Sequence, residues 1–149
     1  MLIVARNVSD LKVFTLAEVY DLCTLDEGQD FYGFLSEDFF PDGICCVCEE
    51  KGRYVSALRL QRWLDGWLLD GLQTHRDHRG RGYATKLVSA ALAATELEKV
   101  YVHIDRNNTQ SIAVHTACGF RKLHDHATYL DGSVHLDADT YVYENPRCT

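Results

Sequence analysis

The sequence predicts an α+β fold, with a mixed, mostly antiparallel sheet flanked by helices. Asp-Gly pairs at residues 65–66 and 131–132 separate strand-like segments and indicate β-hairpins. From Arg81 onward, apolar residues recur every three or four positions, as on an amphipathic helix. A strand-like segment at 100–104 follows this helix. The strand, helix, strand order therefore adds a parallel crossover to an antiparallel sheet.

Length and composition indicate one globular domain over residues 1–149. The chain is 46% hydrophobic and 25% charged, with a formal net charge of -7. A chain of this size can bury a sizeable single core. The opening residues lack the apolar region of a signal peptide, and no apolar run reaches membrane-spanning length. We therefore expect a cytoplasmic protein with no membrane partner.

The N-terminal part predicts one strand and two helices. Residues 2–8 (LIVARNV) are typical of a strand, and residues 13–23 (VFTLAEVYDLC) carry apolar side chains at helical spacing. The aromatic segment 31–40 (FYGFLSEDFF) predicts a second short helix, which should end before Pro41 and Gly43.

Three strands are predicted in the middle of the chain, at 43–51, 53–63 and 67–75. The last two are joined at Asp65-Gly66. A second Asp-Gly pair, at residues 70–71, is too close to the first for both to be turns. A glycine inside a strand commonly marks a bulge. The third strand should therefore bend, or splay from a neighbour, just before the basic stretch that follows it.

The C-terminal half continues with helices and strands in alternation. The helix that begins near Arg81 buries a stripe formed by Ala84, Leu87, Val88, Ala91, Leu92 and Thr95. Residues 111–118 predict a second helix, closed by Gly119. Two final strands, within 120–130 and 134–144, are predicted to be joined by Asp131-Gly132.

Positive charge is concentrated in HRDHRGRGYATKL, residues 75–87. Here a bent strand leads through a glycine-rich loop into a helix N-terminus, where free backbone N–H groups and the helix dipole favour an anion. Glycine lets a pyrophosphate approach the backbone, and the cations that can neutralise it are Arg76, Arg79, Arg81 and Lys86. The alternative is a tight strand-to-helix turn with solvated arginines.

Other ligand classes fit the sequence less well. An acidic chain repels a nucleic-acid backbone, and no Walker-type GK[ST] follows the glycines. The six cysteines lack zinc-finger spacing, and we expect them to be free thiols. His124 and His126 share one strand face, but exposed polar alternation on an edge hairpin explains them without a metal.

Two motifs resemble those of the GNAT superfamily of N-acetyltransferases. RGRGYA matches the family's acetyl-CoA signature at Arg79, Gly82 and Ala84, and NTQSIAVHTACGF resembles its downstream helix, which ends in Gly-Phe. With the strand order, the resemblance covers most of the chain from about Gly43. It implies the GNAT-type acyl-CoA N-acyltransferase fold, with a splayed strand and a bulge before the CoA-binding helix.

The resemblance also implies where acetyl-CoA, the co-substrate, would bind. It would occupy the gap between the bulged fourth strand and the next, with its pyrophosphate on the loop. The implied contacts are Leu72, Gln73, Thr74, Arg79, Gly80, Arg81, Gly82, Tyr83, Ala84, Asn108 and His115.

His115 is a departure from the family pattern, which usually has a tyrosine seven residues after the asparagine, here Asn108. That tyrosine is placed to protonate the departing thiolate. A histidine titrates near neutrality, so His115 is a hypothetical general acid or hydrogen-bond donor to the sulfur. Alternatively it only packs on the pantetheine, and water or Tyr83 supplies the proton.

An amine acceptor must lose a proton before it attacks, which calls for a carboxylate. Asp70, beside the predicted bulge, is the first candidate and Glu37 the second. An aspartate next to glycine is often only a turn or bulge residue, and Glu37 is equally compatible with a solvated helix position.

In the family, the first helices and the last hairpin form the acceptor wall. The segment 31–42 combines aromatic rings with carboxylates, which suits a cationic amine. The ordinary alternative is that these aromatics belong to the core and the acids face solvent.

These inferences converge on an acetyl-CoA-dependent N-acetyltransferase acting on a primary amine of a small molecule or protein. Transfer is expected to be direct, because Cys118 should point away from the face that carries His115. The alternatives are a non-catalytic acyl-CoA-binding or regulatory module and a protein-interaction domain. Pairing through sheet edges makes a homodimer possible.

Overall fold

The computed structural model describes residues 1–40 and 42–148, and the second helical segment ends at Phe39, before Pro41 as predicted. One sheet has seven strands in the order β1-β2-β3-β4-β5-β9-β6, and β7 and β8 form a small separate pair. The strands are β1 Leu2–Ala5, β2 Ile44–Glu50, β3 Arg53–Trp63, β4 Gly66–Thr74, β5 Lys99–Asp105, β6 Arg121–His124, β7 Ala127–Thr128, β8 Val134–His135 and β9 Ala138–Glu144.

Across the residues that the structure describes, four α-helices flank the sheet: α1 Val13–Val19, α2 Leu25–Gly33, α3 Tyr83–Thr95 and α4 Thr109–Ala117. Every pairing in the large sheet is antiparallel except that of β4 with β5. The two parallel strands are connected through α3, as the sequence predicted. The α+β class and the mostly antiparallel sheet are confirmed. None of the helices in the described part of the chain is both long and apolar enough to cross a membrane.

Two hydrophobic layers pack on opposite faces of the sheet. Because side chains alternate along a strand, β2 serves both layers. Cys45 and Val47 pack with α1 and α2. Ile44 and Cys46 pack with α3. Burial raises the pKa of the Cys45 and Cys46 thiols to about 12, so both are inert apolar residues.

The second helix begins earlier than the aromatic segment that predicted it. Its start is a capping box: the Thr24 side chain accepts a bond from the Glu27 amide, and Glu27 accepts one from the Thr24 amide. A π-helical turn, Phe34–Phe39, extends α2. Local capping therefore moves the start of this helix six residues ahead of the predicted 31, to Leu25.

The two predicted hairpins differ from the structure in detail. The β3–β4 turn consists of Leu64 and Asp65, and Gly66 pairs with Trp63 as the first residue of β4. A Cβ on Gly66 would lie 2.6 Å from the Lys99 carbonyl oxygen, so the glycine permits a close strand approach. Asp131-Gly132 closes only the small β7–β8 pair, whereas β6 pairs with β9.

The predicted bulge in β4 is present and opens the sheet. Ala57 pairs with Gln73 but Arg59 pairs with Asp70, so two β4 residues face one β3 residue. Gly71 has a φ of 61°, which favours glycine. Beyond this point β4 leaves β5, since their pairing ends at Leu69 and Val102. The gap between the two strands faces the start of α3.

Candidate active site

The loop between β4 and α3 has the geometry of an anion cradle. Gly80 and Gly82 have φ values of 78° and 80°, and a Cβ added to either would meet nothing within 4 Å. The loop backbone is therefore open to a ligand. Helix α3 begins at Tyr83, two residues after the predicted Arg81. The N–H groups of its first turn lack intrahelical acceptors and can bind a phosphate oxygen.

The Arg79 side chain holds this loop in place through two contacts. Its Nε donates to the Thr74 carbonyl oxygen at 3.1 Å, and its guanidinium lies 3.6 Å from the Asp21 carboxylate. Arg76, Arg81 and Lys86 are exposed around the loop. The basic stretch thus divides into one arginine that positions the loop and three exposed cations that can reach an anion, of which Lys86 also lies 5.9 Å from the Tyr83 ring centroid.

A cavity of about 500 Å³ runs from this loop along the open edge of β4. Eight of the eleven predicted ligands line it: Leu72, Gln73, Thr74, Arg79, Gly80, Gly82, Ala84 and Asn108. Thr85, Gln110, Ser111 and Val114 complete the wall. Arg81 is exposed outside this lining, and Tyr83 packs edge-to-face on His78 with ring centroids 5.9 Å apart.

A second cavity, of about 420 Å³, adjoins the first and shares Leu72 and Ser111 with it. It brings together Asp70 and His115, which the sequence analysis singled out for proton transfer. The other residues around it are Gln61, Trp63, Leu68, Leu69, Gly71, Val102, His103 and Tyr129. The two cavities meet where β4 and β5 diverge.

His115 is only 1% exposed, and its ring nitrogens have different surroundings. Nδ1 lies 2.8 Å from the Ser111 carbonyl oxygen, which can only accept, so the hydrogen is on Nδ1. Nε2 is buried and has no hydrogen-bond partner within residues 1–40 and 42–148. Burial lowers the pKa of His115, with the Ser111 bond opposing it. The resting imidazole is therefore neutral, with the Nε2 lone pair free.

Asp70 is half-buried and has two polar neighbours from β3. Gln61 Nε2 donates to Oδ2 at 3.0 Å, and Arg59 Nε donates to Oδ1 at 3.4 Å. Burial raises the pKa of Asp70, although Arg59 and Gln61 counteract it. A carboxylate whose pKa is raised is a better proton acceptor than an exposed one.

Comparison with known proteins identifies the family at this point. Residues 10–120 match the family model described as "Acetyltransferase (GNAT) family". The chain belongs to the GNAT acetyltransferase family. No curated protein matches the sequence significantly.

Solved GNAT structures have the same fold at low identity. A variant of the spermidine N-acetyltransferase SpeG from Vibrio cholerae is 16% identical, with a TM-score of 0.70 and coverage of 99% of this chain and 98% of that one. The Escherichia coli ribosomal-protein-S18-alanine N-acetyltransferase is 14% identical, with a TM-score of 0.66 and coverage of 97% and 94%.

An aminoglycoside 6'-N-acetyltransferase complexed with coenzyme A is 12% identical, with a TM-score of 0.63 and coverage of 95% and 96%. At these identities the likeness concerns the fold. The three neighbours are named for different acceptors, so shared GNAT architecture does not select an acceptor for this chain.

Glu37, the second carboxylate candidate for this GNAT chain, is not brought to either cavity. It is exposed on the π-helical turn, together with Asp38. Phe31, Leu35 and Phe39 are buried at intervals of four residues, which turns the intervening acids outward. Most of the aromatic segment therefore belongs to the core, which is the alternative given in the sequence analysis.

Several cavity residues were not predicted from the sequence, notably Trp63, His103 and Tyr129. The His103 ring lies edge-to-face between the other two, with centroid distances of 5.4 Å to Trp63 and 5.5 Å to Tyr129. Burial lowers the pKa of His103. The sequence signal that could have indicated His103 is the alternation of side chains along β5. Val102 and Ile104 face the α3 layer, so His103 must face the other side.

The described residues contain no group of three or more His, Cys, Asp or Glu side chains arranged to hold a metal ion. His124 and His126 stack with centroids 5.3 Å apart. His124 is the last residue of β6, the edge strand of the large sheet, and His126 lies two residues beyond it.

Proposed function

We propose that this chain transfers the acetyl group of acetyl-CoA directly to a primary amine of a small molecule or protein. The observation that carries the proposal is the meeting of the two cavities at Leu72 and Ser111. One cavity has an open anion cradle, and the other has two groups suited to proton transfer. Acetyl-CoA would supply the activated acyl group and a thiolate leaving group.

The first cavity supports binding of the CoA moiety. The backbone N–H groups of the cradle and of the first turn of α3 can bind the pyrophosphate. The edge of β4 at Leu72, Gln73 and Thr74 is not paired with β5, so it can pair with an extended pantetheine arm, although the Thr74 carbonyl oxygen already accepts from Arg79 Nε. Asn108 caps α4 by accepting a bond from the Ser111 amide at 3.1 Å, which positions that side of the cavity.

The second cavity supports the proton transfers. Asp70 accepts a proton from the incoming ammonium group, directly or through water, and leaves a nucleophilic amine. His115 Nε2 then accepts the second proton that the nitrogen loses as the C–N bond forms. It releases this proton to the sulfur as the C–S bond breaks. His115 thus acts as an acid toward the sulfur and returns to its neutral form.

The direct route is supported by the position of Cys118. Its Sγ lies 3.5 Å from the Thr85 carbonyl oxygen, between α4 and α3, and it lines neither cavity. Burial raises the pKa of this thiol. A protonated, turned-away thiol is a poor nucleophile, so no acetyl-enzyme is needed.

The test is calorimetric titration with acetyl-CoA followed by thiol release with a panel of amines. Binding with amine-dependent release of CoA supports the transferase. Binding without release for any amine favours the alternative, a non-catalytic acyl-CoA-binding or regulatory module. No binding at millimolar acetyl-CoA means that the glycine loop is only a turn, and the proposal fails.

A further inference from the structure

The charged side chains that line the second cavity limit which acceptor amines can bind there. Among the described residues that line it, Asp70 is the one carboxylate, and Arg59 and Gln61 already contact both of its oxygens. Asp70 can serve one reacting amine. Within residues 1–40 and 42–148, the cavity lining has no further carboxylate to balance a second ammonium group. A buried, unpaired ammonium is costly, so a polyamine fits this cavity poorly.

Asp65, Glu37 and Asp38 do not correct this deficit. Both carboxylate oxygens of Asp65, on the β3–β4 turn, are already engaged: Tyr101 Oη donates to Oδ1 at 2.5 Å and Lys99 Nζ to Oδ2 at 3.0 Å. Glu37 and Asp38 are exposed on the π-helical turn, outside the cavity lining. The carboxylates that suggested a cationic acceptor in the sequence therefore do not reach the site.

Part of the wall of the second cavity is aromatic. Trp63, His103 and Tyr129 form a continuous edge-to-face series with interplanar angles of 78° at both contacts. Trp63 is 6% exposed, whereas Tyr129, at the end of the series, is 40% exposed. Aromatic rings gain from such edge-to-face contacts with a further ring. The apolar neighbours Leu68, Leu72 and Val102 extend this surface.

The reactive groups lie toward the first cavity. Leu72 and Ser111, the residues shared by both cavities, are close in the chain to Asp70 and His115 respectively. An acceptor would thus place its amine at that junction and its body against the aromatic series.

We propose that the acceptor is an aromatic monoamine, a single primary amine on a short chain that ends in an aromatic ring. The inference rests on the proposed acetyl transfer, which makes this cavity the acceptor pocket. Tyr129 is then a specificity-determining residue. It sits on the connection between β7 and β8, where its amide donates to the Ser133 carbonyl oxygen and its carbonyl oxygen accepts from the Gly132 amide. These backbone bonds do not depend on the side chain.

The experiment compares 2-phenylethylamine, butylamine and spermidine on the full chain. Calorimetry on the chain saturated with CoA measures amine binding, and thiol release from acetyl-CoA, in a separate assay without added CoA, measures turnover. The variants are Tyr129→Ala and, as a matched control, Leu130→Ala, whose side chain is 71% exposed and outside the cavity lining. We expect 2-phenylethylamine to bind about tenfold more tightly than butylamine, and spermidine no more tightly than butylamine.

Loss of one aromatic contact should weaken 2-phenylethylamine binding to Tyr129→Ala by roughly threefold to tenfold. Leu130→Ala should change it by less than about twofold. Tighter binding of spermidine than of 2-phenylethylamine, or an unchanged affinity in Tyr129→Ala, overturns the inference.

The two readouts separate this inference from the proposed function. Selective binding of 2-phenylethylamine without thiol release supports the aromatic site but contradicts acetyl transfer to this amine. Thiol release with spermidine or butylamine but not with 2-phenylethylamine keeps the transferase and overturns the aromatic acceptor. Neither binding nor release with any of the three amines overturns the aromatic acceptor, whereas titration with acetyl-CoA and the wider amine panel decide the transferase.

Discussion

Tyr20 Oη donates a hydrogen bond of 2.6 Å to the carbonyl oxygen of Gly71, the glycine of the β4 bulge. This contact joins the end of α1 to the place where the sheet opens. Burial raises the pKa of Tyr20, so the hydroxyl remains a donor. The Arg59 guanidinium lies 5.4 Å from the Tyr20 ring centroid and also contacts Asp70. The N-terminal helices thus support both the bulge and the carboxylate beside it.

Tyr20→Phe removes this donor and leaves the Gly71 carbonyl oxygen without it. A hydrogen bond at a half-buried site contributes about 0.5 to 1.5 kcal/mol, and we expect the free energy of unfolding to fall by that amount. Acetyl-CoA affinity should fall too, because the bulge shapes the open edge of β4. Denaturant unfolding and calorimetry measure the two effects. Tyr32→Phe, at a side chain that is 48% exposed, is the control. Equal stability of the two variants would contradict this role.

Gly82→Glu should abolish much of the acetyl-CoA affinity, because it places a negative side chain in the anion cradle. Gly52→Glu is a matched control: both glycines have φ near 80°, and neither has an atom within 4 Å of an added Cβ. Backbone strain is thereby equal in the two variants. We expect calorimetry to show at least about a tenfold loss of affinity, about 1.4 kcal/mol, for Gly82→Glu alone. Equal affinities of the two variants for acetyl-CoA would mean that this loop does not bind the anion.

His115 should make the protein less stable in acid. Burial lowers its pKa in the folded state below the ordinary 6.5, so the unfolded chain binds more protons between these two values. The free energy of unfolding should therefore fall as pH drops below about 6.5, and level off below the folded pKa. His103 acts in the same direction, since burial lowers its pKa as well.

His115→Gln should consequently reduce the loss of stability between pH 7 and pH 5 without removing it. The control is His124→Gln, at an exposed position on β6. Denaturant unfolding at several pH values measures the slope, and an NMR titration of the ring measures the pKa directly. A slope that His115→Gln leaves unchanged would mean that the pKa of this ring is the same in the folded and unfolded chain, so that burial does not favour its neutral form.

Elements with strong local signals were predictable from the sequence. The stripe from Ala84 to Thr95 predicted α3, and Gly71 within a strand predicted the bulge, because periodicity and backbone freedom are properties of short segments. The turn at Asp65-Gly66 was wrong by one residue. Its glycine is needed for a close approach of Lys99, a contact from a distant strand that no local pattern shows.

The candidate site also has one part that local sequence patterns predicted and one part that they did not. The cradle lies within one continuous segment, and its residues were named from the sequence. The aromatic wall was missed because His103 and Tyr129 are far apart in the chain and meet only where the small β7–β8 pair folds over β5. Glu37 was proposed from composition alone. The four-residue spacing of Phe31, Leu35 and Phe39 held the information that it faces outward.

Cys118→Ser should leave acetyl transfer within about twofold of the original rate. The thiol contacts the Thr85 carbonyl oxygen rather than either cavity, and a serine hydroxyl can donate to the same acceptor. Thiol release kinetics with a reactive amine measures the effect, and mass spectrometry after incubation with acetyl-CoA alone should find no acetylated Cys118. An acetylated thiol together with loss of turnover in Cys118→Ser would establish a covalent route instead.

Asp70→Asn should lower kcat/KM by roughly 100-fold or more if Asp70 is the base, since general-base catalysis typically contributes a factor of this size. Asp65→Asn is the control, because Asp65 also pairs with a cation, Lys99, yet lines neither cavity. The base works only when deprotonated, so kcat/KM should fall as pH drops through the pKa of Asp70, which burial raises above 3.8. A change within threefold, or persistence in Asp70→Asn of the acid limb at the pKa of Asp70, would transfer the role to water or to His115.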